Sequence, residues 1–533
     1  MKKPNILIFN PDEMRADVLG HLGNLAGVTP NMDAFVQTDA VSYADAFCQN
    51  PVCVPSRCSF FTGLYPHVLG HRTMEHTIDI HGEVKPMFQE LKEDGYYVWM
   101  NYRNDFIPNN DVDAFNANAD ETFIPRGPIV RHYPVDHTVH PSWSDTSFIM
   151  GIIPEASEHD PDRDGQSIER AKAFIRNRPQ DQPFCAFIGL FNPHPPYGVE
   201  QKYFDAVDPK LVEQRIPEID DTEKMPSMLR HIKEQMDLHL SDEDWKTMRR
   251  IYLAMCLKVD QWFGELVQVL KEEGIYDDTD IYILSDHGDF AGDYGLPEKN
   301  QNTFEDCLTR VPLIVKPHKE IEAVPGIRHG LCELVDFYAT VMDLSQTAPT
   351  HWHFGRSLRE NLKDPSQPLR MQVFCEGGRL KNEAHCMEHA VFVLPQYEPR
   401  LGGQKDDIKH TKATMIRTEK YKYVRRLYES DELYDLVLDP MERHNVIDCP
   451  QYSQVLAELR MAMLEWYQQT CDIVPLYVNG RSGSPMGTLI DRYVGSERKD
   501  QMAQKAAAGG FTLREFENWC KSEGDSEKRE AHN

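Results

Sequence analysis

The pentapeptide Cys53-Val54-Pro55-Ser56-Arg57 sets a thiol, a stiffened turn and a guanidinium side by side. A side-chain nucleophile offers covalent catalysis, which splits one hard displacement into two easier steps. A guanidinium next to it is a fixed cation for an anionic group under attack, and Pro55 restricts the backbone between them. An ordinary reduced thiol ahead of a helix would carry the same letters, so the segment gains meaning only from distant partners.

Candidate partners close three apolar runs. Asp12 and Glu13 follow NILIFN (5–10), and Asp286 and His287 lie within DIYILSDHGD (280–289). Hard divalent cations take several oxygen ligands, and carboxylates from the ends of neighbouring strands can converge on one ion. Each pair alone also reads as a solvated turn or a helix cap. His194 follows CAFIGLF (185–191) in the turn NPHPPYG. An imidazole there can protonate a poor alkoxide leaving group or touch the anion, and a turn histidine without a task is the plainer alternative.

Those runs read as central parallel strands that present polar residues at their carboxyl ends. Between them, MFQELKEDG (87–95) and the stretch 248–274 have helical periodicity, the latter stopped by Gly274. The alternation predicts an α/β fold with a large doubly wound, mixed but mostly parallel sheet flanked by helices. After about residue 365 the pattern changes to MQVFCEGG, HAVFVLP, TKATMIRTEKYKYVRRL and ELYDLVLDP, then a helix near 452–470. Short strands with turns predict a smaller α+β domain carrying an antiparallel sheet. The expected domains are 1–365, with a loop-rich insertion at 107–165 shaping the site, then 366–475, then a polar extension, 476–533.

The 533-residue chain carries a formal net charge of −28, so nothing would neutralise phosphates along a groove and nucleic acid is not an expected partner. An anionic substrate must be drawn by a local cationic pocket. The 12 cysteines lack regular spacing, which favours reduced thiols over a disulfide framework or a zinc cluster. The first apolar run is too short for a signal peptide and no run reaches transmembrane length, so no membrane and a cytoplasmic address are expected.

With these residues in place, the chain resembles the formylglycine-dependent sulfatases of the alkaline-phosphatase-like superfamily over most of residues 4–450. CVPSR followed by CSFFTGLYPH matches their Cys-X-Pro-Ser-Arg motif, GDYGLPEKNQNTFEDCLTRVPLIV a block after Asp-His-Gly, and IRTEKYKYV with ELYDLVLDPMERHN their smaller domain. The resemblance implies that a sulfatase-maturating enzyme oxidises Cys53 to an aldehyde. In the hydrate, two hydroxyls share one carbon: one attacks sulfur and the other then expels sulfate. The resemblance further implies a divalent metal on Asp12, Glu13, Asp286 and His287, completed by the oxygen of residue 53. Arg57 and Lys299 would hold the sulfuryl group, His194 would assist the leaving alcohol, and His71 is favoured over His67 and His76 as a further contact.

The segment GYYVWMNYRNDF (95–106) departs from the family's usual lysine and histidine by placing Arg103 and Asp105 there. Arg103 keeps a cation facing sulfate, whereas Asp105 replaces an acid only if burial keeps it neutral; an ion pair between the two is the alternative. Glu13 and His287 stand where the family shows Asp and often Asn. Calcium is the family default, while imidazole suits Mn²⁺ or Zn²⁺ better. The function expected is hydrolysis of the sulfate monoester of a small sulfated carbohydrate. Lys409, His410, Lys412 and Arg417 are cations that could read a uronate or a second sulfate, or serve as surface charges. The rivals are a phosphonate monoester or phosphodiester hydrolase with the same nucleophile, and a non-catalytic sulfoglycan-binding protein with unmodified Cys53.

Overall fold

Runs rich in Ile, Leu, Val and Phe form strands because both faces of a parallel sheet are covered. The computed structural model describes residues 3–127, 148–159, 161–219, 221–236, 238, 240–388, 397–476, 485–494, 500, 503–504, 507, 510 and 512–530. The chain forms two units, Met1–Val474 and Pro475–Asn533.

In the first unit the strands are β1 (Asn5–Asp12), β2 (Val41–Phe47), β3 (Tyr97–Asn101), β4 (Glu121–Phe123), β5 (Ile149–Ile153), β6 (Phe184–Pro193), β7 (Tyr197–Glu200), β8 (Thr279–Leu284), β9 (Arg310–Val311), β10 (Leu313–Lys316), β11 (Gly326–Glu333), β12 (Val373–Gly377), β13 (Ala413–Arg417), β14 (Tyr421–Arg426) and β15 (Glu432–Asp435). The main sheet runs β11-β2-β10-β8-β1-β6-β3-β4, with β9 beside β2. Most pairs are parallel; β10 and β9 pair antiparallel to their neighbours. This is the expected mixed, mostly parallel sheet.

Alternate residues of β1 face opposite layers. Leu7 and Phe9 join one apolar cluster, Ile6 and Ile8 the other. Burying each such side chain stabilises the fold by about 1.5–3 kcal/mol. The first layer includes the long helix Asp242–Glu272, which starts before the expected 248 because Ser241 and Asp244 form a reciprocal capping box. Asp242, Glu243 and Asp244 in its first turn also complement the helix dipole.

Strands β12 to β15 form the antiparallel four-stranded sheet. Helix Ser453–Thr470 packs Leu459, Met463 and Trp466 into a cluster with Phe374, Ile416, Tyr423 and Leu433 of that sheet. The ring of Trp466 stacks on Phe374 at 4.3 Å. The expected strand HAVFVLP lies outside the described residues, as does the stretch 128–147 of the 107–165 segment. The described flanks of that segment are more regular than a loop: helix Val112–Asn118 has Asp111 as its N-cap, and β4 and β5 follow. In the second unit, helices Pro485–Tyr493 and Leu513–Glu530 share an apolar cluster of Leu489, Ile490, Phe516 and Cys520. Among the described residues, no helix is long and apolar enough to cross a membrane.

Candidate active site

Four neighbouring strands deliver the polar residues at or just beyond their carboxyl ends. β1 gives Asp12 and Glu13, β3 gives Arg103 and Asp105, β6 gives His194, and β8 gives Asp286 and His287. The loop after β2 leads to helix Cys53–Phe60, so Cys53 occupies the first helical turn, where the dipole favours negative charge. Close tethers fix these ends. Glu13 holds a left-handed backbone (φ 66°), rare for a residue with a Cβ; its carbonyl accepts from the Tyr252 hydroxyl at 2.9 Å and its N–H donates to Asp286 Oδ1 at 3.1 Å. Ser285 Oγ accepts from Met14 N–H at 2.8 Å and donates to the His287 carbonyl at 2.9 Å. Ser56 Oγ donates to the Asp286 carbonyl at 2.6 Å, locking the Cys53 helix to β8.

The side chains of Asp12, Cys53, Asp286 and His287 converge, one ligand atom from each lying within 4.8 Å of the others. All four are buried. Cys53 Sγ is 3.2 Å from His287 Nε2 and 3.5 Å from Asp12 Oδ1. Burial depresses the His287 pKa, so the ring is neutral, and its Nδ1 bonds the Gly288 carbonyl at 2.9 Å. That bond fixes the tautomer and leaves the Nε2 lone pair facing the cluster. Two carboxylate oxygens, one oriented imidazole nitrogen and the Cys53 sulfur form a donor set that could hold a divalent cation.

Glu13 joins Asp12 and His194, rather than Cys53, in a second buried group that could hold a metal ion, and its Oε2 accepts from Lys299 Nζ at 2.7 Å. Its second oxygen is buried without a hydrogen-bond partner. Arg57, expected to hold the sulfuryl group, has two carboxylate partners in this structure. Its Nε donates to Asp286 Oδ2 at 2.8 Å and its Nη2 to Asp12 Oδ2 at 3.0 Å, so it neutralises the paired carboxylates. Burial alone would raise the Asp12 pKa, but Arg103 and then Arg57 hold it well below the usual carboxylate range.

Arg103 bonds Asp12, and its Nη2 lies 3.1 Å from Asp105 Oδ2, while Arg57 Nε is 4.0 Å from that oxygen. The ion-pair alternative for Arg103 and Asp105 is therefore the geometry observed. Lys299 Nζ meets Glu13, Glu298 at 3.0 Å and His194 Nε2 at 2.8 Å. Burial opposes its charge, but Glu13 and Glu298 hold the ammonium protonated. Burial and then Lys299 push the His194 pKa well down, and Nδ1 bonds the Pro195 carbonyl at 2.5 Å. Nε2 of His194 is thus an acceptor toward Lys299.

His71 bonds the His76 carbonyl at 3.0 Å, and His67 bonds Glu376 at 2.7 Å and the Thr470 carbonyl at 2.9 Å. The four C-terminal residues Lys409, His410, Lys412 and Arg417 have separate surroundings. Lys409 pairs with Asp406 at 3.5 Å, and Lys412 lies 6.0 Å from the Tyr467 ring. His410 is wholly buried, its pKa pushed down to about 3 by burial and by Arg379, Arg400 and Arg72. Arg417 is locked onto Asp306 at 3.0 Å and lines a separate cavity of about 320 Å³ with Arg15 and Tyr294. Among the described residues, none of the hydrogen bonds or ion pairs of these four reaches Cys53 or Lys299.

Sequence reasoning missed Glu298, the neighbour of Lys299, although a charge beside a buried lysine was a readable signal. It also missed Gly189. A Cβ there would lie 2.1 Å from the Arg103 carbonyl oxygen, so only glycine lets β6 pass the turn that carries Arg103.

A mixed, mostly parallel sheet whose strand ends focus carboxylates, imidazoles and buried cations on one helix-borne cysteine is the architecture of a hydrolase of the alkaline phosphatase superfamily. Residues 4–347 match the Sulfatase family, and the chain belongs to that family. It is 24% identical over 471 residues to the choline-sulfatase of Rhizobium meliloti, covering 84% of this chain and 83% of that protein. Its fold is similar to that of the phosphonate monoester hydrolase of Agrobacterium radiobacter, with a TM-score of 0.68, 22% identity, and coverage of 88% of this chain and 96% of that one. A second similar structure holds D-glucosamine-2-N,6-O-disulfate as its substrate; the TM-score is 0.64 and identity 18%, with coverage of 88% of this chain and 98% of that one.

Proposed function

We propose that this sulfatase-family hydrolase cleaves the sulfate monoester of a small sulfated carbohydrate, using a formylglycine made from Cys53. The observation that carries this reading is the placement of Cys53 at a helix N-terminus, against Asp12 and His287 and beside the cations that pair with Asp12. As a thiol the residue is poorly suited to attack, because burial and then Asp12 push its pKa well up and suppress the thiolate. The hydrated aldehyde avoids that problem, since one hydroxyl attacks sulfur while the second later expels sulfate from the same carbon.

A divalent cation on Asp12, Asp286 and His287 with the oxygen of residue 53, calcium by family habit and manganese or zinc by the imidazole, would supply Lewis acidity at the nucleophile. Lys299 and Arg103 present preorganised positive charge to the sulfuryl oxygens. His194 is held by the Pro195 carbonyl with its Nε2 on Lys299, and in this reading the pair assists the leaving alcohol, the proton coming from the Lys299 ammonium. The disulfated glucosamine bound by a structure of the same fold supports a sulfated sugar as the substrate class.

One observation favours a second reading. An imidazole, His287, stands in the ligand group where the family often shows an amide, and the fold also matches a phosphonate monoester hydrolase. Rates on a sulfate monoester, a phosphonate monoester and a phosphodiester of one alcohol separate the readings. Faster turnover of the sulfate supports the first, and faster turnover of either phosphorus ester supports the second. A panel of sulfated mono- and disaccharides then ranks the sugar.

A further inference from the structure

Lys299 is held more completely than a sulfate-binding lysine can be while it works. Its ammonium meets Glu13 Oε2 at 2.7 Å, Glu298 Oε1 at 3.0 Å and His194 Nε2 at 2.8 Å. Three acceptors use all three of its protons. A sulfuryl oxygen that takes a proton from Lys299 must therefore displace one of them.

Glu298 is the acceptor with a second strong cation. Arg400, from the short helix Glu398–Gln404, donates through Nη1 to both Glu298 oxygens at 3.0 and 3.1 Å. Its Nη2 reaches Glu388 Oε2 at 2.9 Å, and Gln404 Nε2 holds the other Glu388 oxygen at 2.7 Å. The guanidinium also lies 4.8 Å from the centre of the Tyr397 ring. Arg400, Glu298 and Lys299 are all buried, so charges alternate along Lys299, Glu298, Arg400 and Glu388 away from the site. The ion-pair partners of Glu13 among the described residues are Lys299 and the neutral His194. Release of Lys299 by Glu13 would strand a buried carboxylate, whereas release by Glu298 would not.

We infer that Arg400 is a positioning residue that shares Glu298 and so frees one Lys299 proton for the sulfuryl group. The inference rests on the sulfatase reading above. With Arg400 absent, Glu298 would have Lys299 as its nearest counter-ion and would hold the ammonium away from substrate.

Calorimetric titration with inorganic sulfate, alongside kcat and KM on a sulfate ester, tests this in wild type, R400Q, E298Q and E298Q/R400Q. Loss of the shared cation in R400Q is expected to weaken sulfate binding about tenfold and lower kcat/KM by about 10–100-fold. The double variant removes the stranded carboxylate and is expected to regain sulfate affinity to within about threefold of wild type, which loss of packing at residue 400 alone would not produce. Wild-type sulfate affinity in R400Q, or a double variant as weak as R400Q, overturns the inference. Should R400Q not fold, E298Q decides: a freed ammonium binds sulfate several-fold more tightly, and unchanged affinity overturns the inference. Absence of ester turnover in wild type, with the binding pattern intact, refutes the sulfatase reading and leaves the positioning role standing.

Discussion

Cys53 Sγ lies 3.2 Å from His287 Nε2, although 234 residues separate the two in the chain. One residue stands in a helix after β2 and the other just after β8, so their meeting depends on the whole sheet. Mutations that leave this sheet intact but alter one partner should therefore affect chemistry more than folding.

Metal loading should depend on that partner. Stripping divalent ions with a chelator is expected to abolish turnover and lower the melting temperature, with both restored by adding back one cation. His287→Ala should need roughly 10–100-fold more cation for half-maximal recovery, as for loss of one oriented ligand. Equal cation requirements in wild type and variant would remove His287 from the ligand set.

Lys299→Met keeps an unbranched side chain one atom shorter and leaves Glu13 and Glu298 without the ammonium. Removing one partner of a buried ion pair costs about 3–5 kcal/mol, and removing one charge stabiliser lowers kcat by about 10²–10³-fold. Urea unfolding and steady-state rates check the two effects separately. A stable variant with wild-type kcat would contradict the role given to Lys299.

Gly189→Ala tests how tightly the Arg103 turn is set. The added Cβ would meet the Arg103 carbonyl at 2.1 Å, so β6 or the turn must move. The expected cost is about 1–3 kcal/mol, and a displaced guanidinium lowers kcat/KM by about tenfold or more. Normal kinetics in a folded Gly189→Ala would show that Arg103 acts without that close approach.

Stability should carry a pH signature from Asp260. This residue of the long helix accepts the backbone N–H of Asn31 at 3.0 Å and of Met32 at 2.9 Å, tying down the start of helix Pro30–Thr38. Burial pushes its pKa up to about 6 despite those donors. The folded state therefore binds the proton more tightly than the unfolded chain does. The resulting stabilisation is present below about pH 4 and is lost as pH rises through about 6. Between those limits the stability of wild type relative to Asp260→Asn should fall by roughly 3 kcal/mol, measured by urea unfolding at each pH. Parallel pH dependences would rule this out.

The parallel strands were legible because their short, continuous apolar runs end abruptly in polar residues such as Asp12, His194 and Asp286. The start of the long helix was misjudged by six residues because its first turn is acidic rather than apolar, and the Ser241–Asp244 box that defines it is a local hydrogen-bond pattern. In the site, Cys53, Asp12, Asp286 and His287 were readable as residues at strand ends or in a motif. The partnering was not. Nothing in the letters says that Arg57 would be drawn between Asp12 and Asp286, that Glu13 would turn to Lys299, or that Arg417 would be spent on Asp306. Those choices follow from which buried charges end up closest, and only the packed structure sets that. Arg400 escaped notice for the same reason, since its partner Glu298 lies 102 positions away.

The nucleophile is tested most directly by the mass of the peptide that carries residue 53, taken from preparations that turn over a sulfate ester. Conversion of the thiol to the aldehyde is expected to make that peptide roughly 18 Da lighter than its sequence mass. Full activity in protein whose residue 53 peptide retains the cysteine mass would contradict the proposed chemistry.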